Sequence, residues 1–219
     1  TFESADDMMA AAVEVFRELS PETRDYINLM EEGKYYDAPS REGKKVGAYC
    51  TGIPTHKAPF VFLNYAGSAA DVTTTFHEFG HALQGMLTQA KYKSLAGTNV
   101  DRDYVELCSQ ILEHWATEPE VLKQYAKHYQ TGEVIPQDLI DKLNASGTFN
   151  QGFVSTELAG ASILDLKWGR HDGKNVDVMG FEKQVADEIG MPDEITFRYR
   201  SPYFKHIFGD DGYASGYYT

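Results

Sequence analysis

His77, Glu78 and His81 form the pattern His-Glu-x-x-His within "DVTTTFHEFGHALQGM", residues 71–86. On a helix, residues four apart share a face, so both imidazoles can reach one ion. Glu78 lies one step along, close enough to hold a water beside that ion without ligating it. Two neutral nitrogens for a zinc ion and one carboxylate for the proton of an attacking water are what metal-assisted hydrolysis needs. Five residues are a short pattern, and His-x-x-x-His pairs also occur on helices that bind nothing, so the surroundings carry weight. Gly80 stands in mid-helix, where glycine costs about 1 kcal/mol against alanine, and it predicts the close approach of another element. The threonine run 73–75 has poor helix propensity, which points to packing or chemistry setting the sequence there.

A catalytic zinc keeps three protein ligands and one open position. The next helix, expected over 104–116, offers Glu106, Gln110 and Glu113 along one stripe at i, i+4 and i+7. Glu106 follows His81 by 25 residues, enough for the first helix to end, turn and run back. Spacing therefore favours Glu106, with Glu113 and Asp103 as alternatives. Asp103 suits the N-cap, where backbone N–H groups would satisfy it. Glu113 and Gln110 are also candidates to hold a ligand imidazole in one tautomer from behind.

The elements that must position these residues are mostly helical. Residues 3–18 and 22–32 read as helices, the second opened by Pro21. The aromatic and β-branched stretches 46–52 and 59–65 read as a hairpin or two neighbouring strands. Ser68 and Asp71 form a capping-box signal for a motif helix over about 69–90. Further helices are expected over 119–130, 137–146, 153–171 and 178–189; the one over 153–171 is apolar enough to be buried. The 197–219 tail is irregular and rich in Tyr and Phe, with Gly209, Gly212 and Gly216 as bending points. The organisation is a helical lead-in (1–45), a β element (46–66), the motif helices (67–117), helical support (118–196) and an aromatic, glycine-rich loop (197–219). The fold class is mainly α with a small β hairpin or sheet before the motif helix.

Composition excludes several classes. A formal net charge of −13 over 219 residues argues against a nucleic-acid partner and against docking on an anionic membrane. No run of 18 apolar residues is present, so no spanning helix is expected. Cys50 and Cys108 are too few for a disulfide framework and read as buried thiols, leaning toward a cytoplasmic setting. A periplasmic one stays open. The start lacks a signal peptide and a Met, and the chain reads as excised from a longer polypeptide.

Three separated stretches, "FHEFGHALQGML", "SLAGTNVDRDYVELCSQILEHW" and "YRSPYFKHIFGDDGYASGYY", together resemble the thimet oligopeptidase family of zinc metallopeptidases, within it the bacterial dipeptidyl carboxypeptidase branch. The resemblance runs over nearly the whole chain. It implies a zincin-like catalytic fragment, the C-terminal part of a two-lobed peptidase about three times this length. It also implies one zinc per chain on His77, His81 and Glu106, and Glu78 as general base. His206 and Tyr213 correspond to loop residues that contact substrate and the developing oxyanion. One further family tyrosine falls at the position after Thr219. Two departures are visible. Gln84 stands where many relatives have a histidine that is not a zinc ligand, and Cys108 replaces the proline of a "VExPSQ" pattern.

The implied activity is hydrolysis of short peptides, releasing C-terminal dipeptides. Alternatives are an endo-acting oligopeptidase, and a metal-binding fragment inactive without an N-terminal half that would partner it. Tyr217, Tyr218, Arg198 and Arg200 are candidate substrate contacts, the arginines because they pair with carboxylates in bidentate fashion. The strand within 59–65 is a candidate edge for an extended peptide.

Overall fold

A computed structural model describes residues 2–52, 58–209 and 213–219. The expected 53–57 loop and Gly212 lie outside the described residues. The chain divides into two compact units, residues 1–145 and 146–219, each with its own core.

In the first unit, α1 (Ala5–Leu19) and α2 (Pro21–Glu32) form a helical pair. Their starts follow from local chemistry. Ser4 accepts a hydrogen bond from the Asp7 N–H at 3.1 Å, Ser20 accepts from the Thr23 N–H at 3.0 Å, and Pro21 occupies the first turn of α2. The inner face of α1, with Met8, Met9, Ala12, Val13 and Phe16, is buried. Phe16 meets Phe76 and Phe79 of the motif helix α3 (Ala69–Leu87) at ring-centroid distances of 5.0 Å each. This aromatic contact fixes the inner side of α3 and leaves the histidine side free for chemistry.

A three-stranded sheet lies beside α3. Its order is β1 (Tyr36–Asp37), β3 (Pro59–Phe62), β2 (Tyr49–Gly52), with β1 parallel and β2 antiparallel to β3. Cys50 pairs with Val61, which is fully buried. The two expected strands are present, and β1 is an addition that two residues of sequence pattern did not signal. It corrects one expectation: β3 is the central strand, hydrogen-bonded on both sides, and so offers no free edge to a peptide. Lys44 explains how the preceding loop is tied down. Its ammonium bonds the Asp37 carboxylate and carbonyl and the Pro39 carbonyl at 2.9–3.0 Å, and sits 4.6 Å from the Phe62 ring centre.

α3 opens on the anticipated capping signal, with the Asp71 carboxylate accepting the Ser68 N–H at 2.8 Å and the Ala66 N–H at 3.1 Å. It ends at Leu87, three residues earlier than expected, because Thr88 is already extended. The second site helix is α4 (Arg102–Trp115), packed along α3. Its N-cap is Asp101, two residues before the expected Asp103. Tyr104, Leu107, Ile111 and Trp115 form a partly exposed apolar stripe on α4. α5 (Pro119–Tyr125) is shorter than the predicted 119–130. The chain turns instead, with Lys127 bridged to Val134, Gly132 at φ 71° and the His128 ring accepting the Gln130 and Thr131 N–H groups. α6 (Gln137–Ser146) follows.

The second unit is built on α7 (Gln151–Gly169) and α8 (Val178–Glu188). α7 is less buried than its apolar composition suggests. Ala161 and Leu164 are buried, but Phe153, Val154 and Leu158 in its first half are exposed. Phe197, Tyr199 and Ile207, the last within the single turn α9 (His206–Gly209), complete the core with Val185. Among the described residues no helix is long and apolar enough to cross a membrane.

Candidate active site

α3 presents His77 and His81 on the face turned toward α4, and α4 answers with Glu106. Gly80 makes this possible. A Cβ there would lie 2.6 Å from Ser109 Cα and 2.9 Å from the Cys108 carbonyl oxygen, so only glycine lets the two helices approach this closely. The close approach expected from a mid-helix glycine is thus present, and its partner is the α4 backbone.

His77 Nε2 and His81 Nε2 each lie 3.4 Å from the same atom, Glu106 Oε2. The three donor atoms fall within 4.8 Å of one another. Ligands at 2.0–2.2 Å in a tetrahedral zinc shell stand about 3.4 Å apart. Two nitrogens and one carboxylate oxygen are also a donor set that zinc accepts. The residues fit the ion on both counts.

The electrostatics agree with a cage that wants positive charge. Burial opposes a charge on His77, but hydrogen bonds to Glu106 and Glu113, with the field of Glu78, override it and raise that imidazole to about 10. Burial pushes Glu106 upward, yet His77, His81 and the Ser109 hydroxyl more than offset it and hold the carboxylate well below its usual range. Glu78 is raised, mainly by burial and against the pull of His77 and His81. Its Oε2 is buried and has no partner among the described residues.

The surrounding groups orient the donors. Glu113 Oε1 accepts from His77 Nδ1 at 2.6 Å, which leaves Nε2 to face the other donors. The Ser109 hydroxyl lies 3.0 Å from Glu106 Oε2, and Arg102 reaches Glu106 Oε1 at 3.3 Å. Gln110 is exposed. At about 100° per residue it sits about 40° from Glu106 on the side away from buried Ser109, so the stripe it was assigned to turns outward there. Asp103 is also exposed, and Cys108 is not part of the donor cluster. The Cys50 thiol, on β2, is pushed up to about 12 by burial and by the charge of Glu78.

The remaining candidates belong to the second unit. His206 packs on Tyr213 and on Phe204, with ring centres 5.1 and 5.0 Å apart. Tyr217 packs edge-on to Tyr199, and Tyr218 is exposed. Tyr199 and Phe204 stack at 4.0 Å as core residues, whereas Tyr203 is exposed. Arg198 pairs with Glu157 at 3.2 Å, and Arg200 pairs at 2.6 Å with Glu182, which is buried. Both guanidinium groups are therefore engaged within the unit, Arg200 as the buried Glu182 carboxylate requires and Arg198 in a more exposed pair.

A sequence profile of peptidase family M3 matches residues 14–219. The chain belongs to peptidase family M3. The chain is similar to the dipeptidyl carboxypeptidase of Escherichia coli (strain K12), 41% identical over 205 residues that cover 84% of this chain and 30% of that protein. Oligopeptidase A of Salmonella typhimurium is 31% identical, covering 90% of this chain and 32% of that protein. The chain thus spans about 30% of the length of these curated relatives. Among solved structures, two described as oligoendopeptidase F share the fold. One covers 97% of this chain and 37% of its own at a TM-score of 0.67 and 21% identity. The other, from Bacillus anthracis str. Ames, covers 87% and 33% at a TM-score of 0.64 and 22% identity.

Within this M3 chain, the Gln84 departure from the family pattern becomes concrete. Gln84 donates through its amide to the Gly97 carbonyl at 3.1 Å, tying the loop after α3 to the motif helix, while its Oε1 is buried without a partner among the described residues. Two groups that handle Glu106, Arg102 and Ser109, were missed from sequence. They stand four before and three after it, the spacing at which helical neighbours meet, and that spacing could have flagged them.

Proposed function

We propose that the protein hydrolyses peptide bonds in short peptides and releases C-terminal dipeptides, with one zinc ion held by His77, His81 and Glu106. The observation that supports this best is the pair of 3.4 Å distances that converge on Glu106 Oε2. A zinc ion held by these residues would supply Lewis acidity, to polarise a scissile carbonyl and make water a better nucleophile. Glu78 takes a proton from the attacking water at Oε2 and passes it to the leaving amine. Its burial, which raises its affinity for that proton, suits the task. Glu113 keeps His77 in the tautomer that presents Nε2. His206 and Tyr213 carry the substrate- and oxyanion-contacting roles that the resemblance implies.

A second reading, endo-acting cleavage, is favoured by the similarity to oligopeptidase A. The two differ in whether a free C-terminal carboxylate is required. A set of peptides with free and amidated C-termini, digested with the zinc-loaded protein and read by mass spectrometry, separates them. Dipeptides released only from free-acid substrates support the first reading, and internal cleavage of amidated peptides replaces it with the second. No cleavage of either set by zinc-loaded protein refutes both.

A further inference from the structure

Asp165 is the unexplained group of the second unit. It sits in the apolar run of α7, is 1% exposed, and pairs with no lysine or arginine among the described residues. A buried carboxylate without a cation must be satisfied by hydrogen-bond donors. Its two oxygens each take one from the tail: Oδ1 accepts the Ser215 N–H at 2.9 Å, and Oδ2 accepts the Tyr217 N–H at 3.0 Å. Ser215, the first of these donors, is in the left-handed region, at φ 61°. The turn brings these two N–H groups, two residues apart, onto one carboxylate. One helical turn after Asp165 stands Gly169, where an added Cβ would meet the Ser215 Oγ at 2.0 Å. The tail therefore rests on α7 at two points, a carboxylate and a bare glycine, both on one helix face.

The residues on this turn are Tyr213 and Tyr217. Tyr213 packs on His206, and Tyr217 on Tyr199 and Phe204. From this geometry we infer that Asp165, with Gly169 beneath the turn, is a positioning residue that sets the turn over 213–217, and with it Tyr213, in its working conformation. The role in turnover rests on the peptidase reading above; the seat itself does not. Asp165 touches no substrate. It acts through the backbone of 215–217, and its two oxygens must both accept, which an amide cannot do.

The test uses Asp165→Asn and, as a control that crowds the turn but leaves the carboxylate in place, Gly169→Ala, whose methyl meets a serine hydroxyl that can rotate. Amide hydrogen exchange at Ser215 and Tyr217 reads the seat directly. Both amides should exchange at least about tenfold faster in Asp165→Asn and less than that in Gly169→Ala, with the α3 and α4 amides and the zinc content unchanged in both. In peptide hydrolysis, Asp165→Asn should lower kcat on the order of 100-fold. On a Tyr213→Phe background the same change should have little further effect, because the group it positions is already altered. Equal fold losses in the two backgrounds would mean a general structural role and overturn the positioning claim. Unchanged exchange at both amides in Asp165→Asn would overturn the seat. If the wild type cleaves no peptide, the peptidase reading falls, and exchange at 215 and 217 still decides for or against the seat.

Discussion

The contact at Gly80 makes the sharpest prediction about the site. Replacing Gly80 with Ala places a methyl 2.6 Å from Ser109 Cα, 2.9 Å from the Cys108 carbonyl and 3.1 Å from Ser109 N, all of them backbone atoms that cannot rotate away. Ordinary contact begins near 3.4 Å, so α3 and α4 must separate by roughly 1 Å to reach unstrained packing. Glu106 is one turn from Ser109 on the rigid α4 and moves with it. Metal–ligand distances tolerate only about 0.2 Å, so a displacement of that size removes Glu106 from the set. The cost to the fold is smaller. Overpacking costs about 1–3 kcal/mol, and alanine returns about 1 kcal/mol of helix propensity, for a net loss of about 0–2 kcal/mol. Gly80→Ala should therefore remain folded while its zinc affinity falls at least about 100-fold. Competition against a chromophoric chelator measures the affinity, and urea unfolding of the metal-free protein measures the fold. Gly85→Ala is the control: it lies on the same helix, its added Cβ meets nothing within 4 Å, and it should gain about 1 kcal/mol with zinc binding intact. Wild-type zinc affinity in Gly80→Ala would refute the claim that helix spacing sets the ligand geometry.

Glu78→Gln should keep its zinc, by metal analysis, and lose about 10²–10⁴-fold in kcat, because the amide cannot accept the water's proton; retained turnover would remove Glu78 from the role of base. Ser109→Ala deletes the hydroxyl 3.0 Å from Glu106 Oε2 and should weaken zinc binding about tenfold in the same chelator assay; an unchanged affinity would make that contact incidental. Asp37 is held at about 2, below its ordinary 3.8, first by hydrogen bonds from Arg41 and, against the cost of burial, by Lys44. A depressed carboxylate contributes stability above its unfolded value and loses it as pH falls toward the folded one. Asp37→Asn should therefore be less stable than the wild type by about 1 kcal/mol at pH 5, after discounting for solvent screening. That gap should close between about pH 4 and pH 2. A gap in urea unfolding that is independent of pH would show that the carboxylate's charge does not matter.

The donor set was legible because its logic is periodic. His77 and His81 share a face by arithmetic, and Glu106 lay at the distance a helix, a turn and a return demand. Gly80 was legible too, since a glycine that weakens a helix needs a compensating contact. The errors fall where a period predicts a direction and tertiary packing decides otherwise. Gln110 was placed on the Glu106 stripe, but Ser109 on the other flank is the buried neighbour and pulls the contact face away from Gln110. The strand over 59–65 suits either a free edge or the core by its sequence, and two residues, Tyr36 and Asp37, suffice to pair its far side. A two-residue strand has no periodicity to detect. α7 reads as buried from composition, but Phe153, Val154 and Leu158 are exposed because composition does not say how many sides of a helix are covered.

Asp165 shows what a sequence can offer beyond period. Within "SILDLKW" it is the single acid of an apolar helical run, and such a group is tolerated only where donors reach it. The sequence thus announces that partners exist without saying where. The natural first guess, a nearby base, is wrong here: the donors are backbone N–H groups 50 and 52 residues further on. Backbone donors carry no residue identity, so no pairing rule could have found them. The same reasoning applies to Glu182, whose buried carboxylate is answered by the Arg200 side chain and the Ser201 backbone N–H. In both cases a helix acid meets the segment after residue 196, through one or two main-chain groups. The irregular tail is therefore held by acids that the helices contribute, and its aromatic side chains need not specify its path. They are left free to differ in burial, from Tyr199 in the core to Tyr218 in solvent.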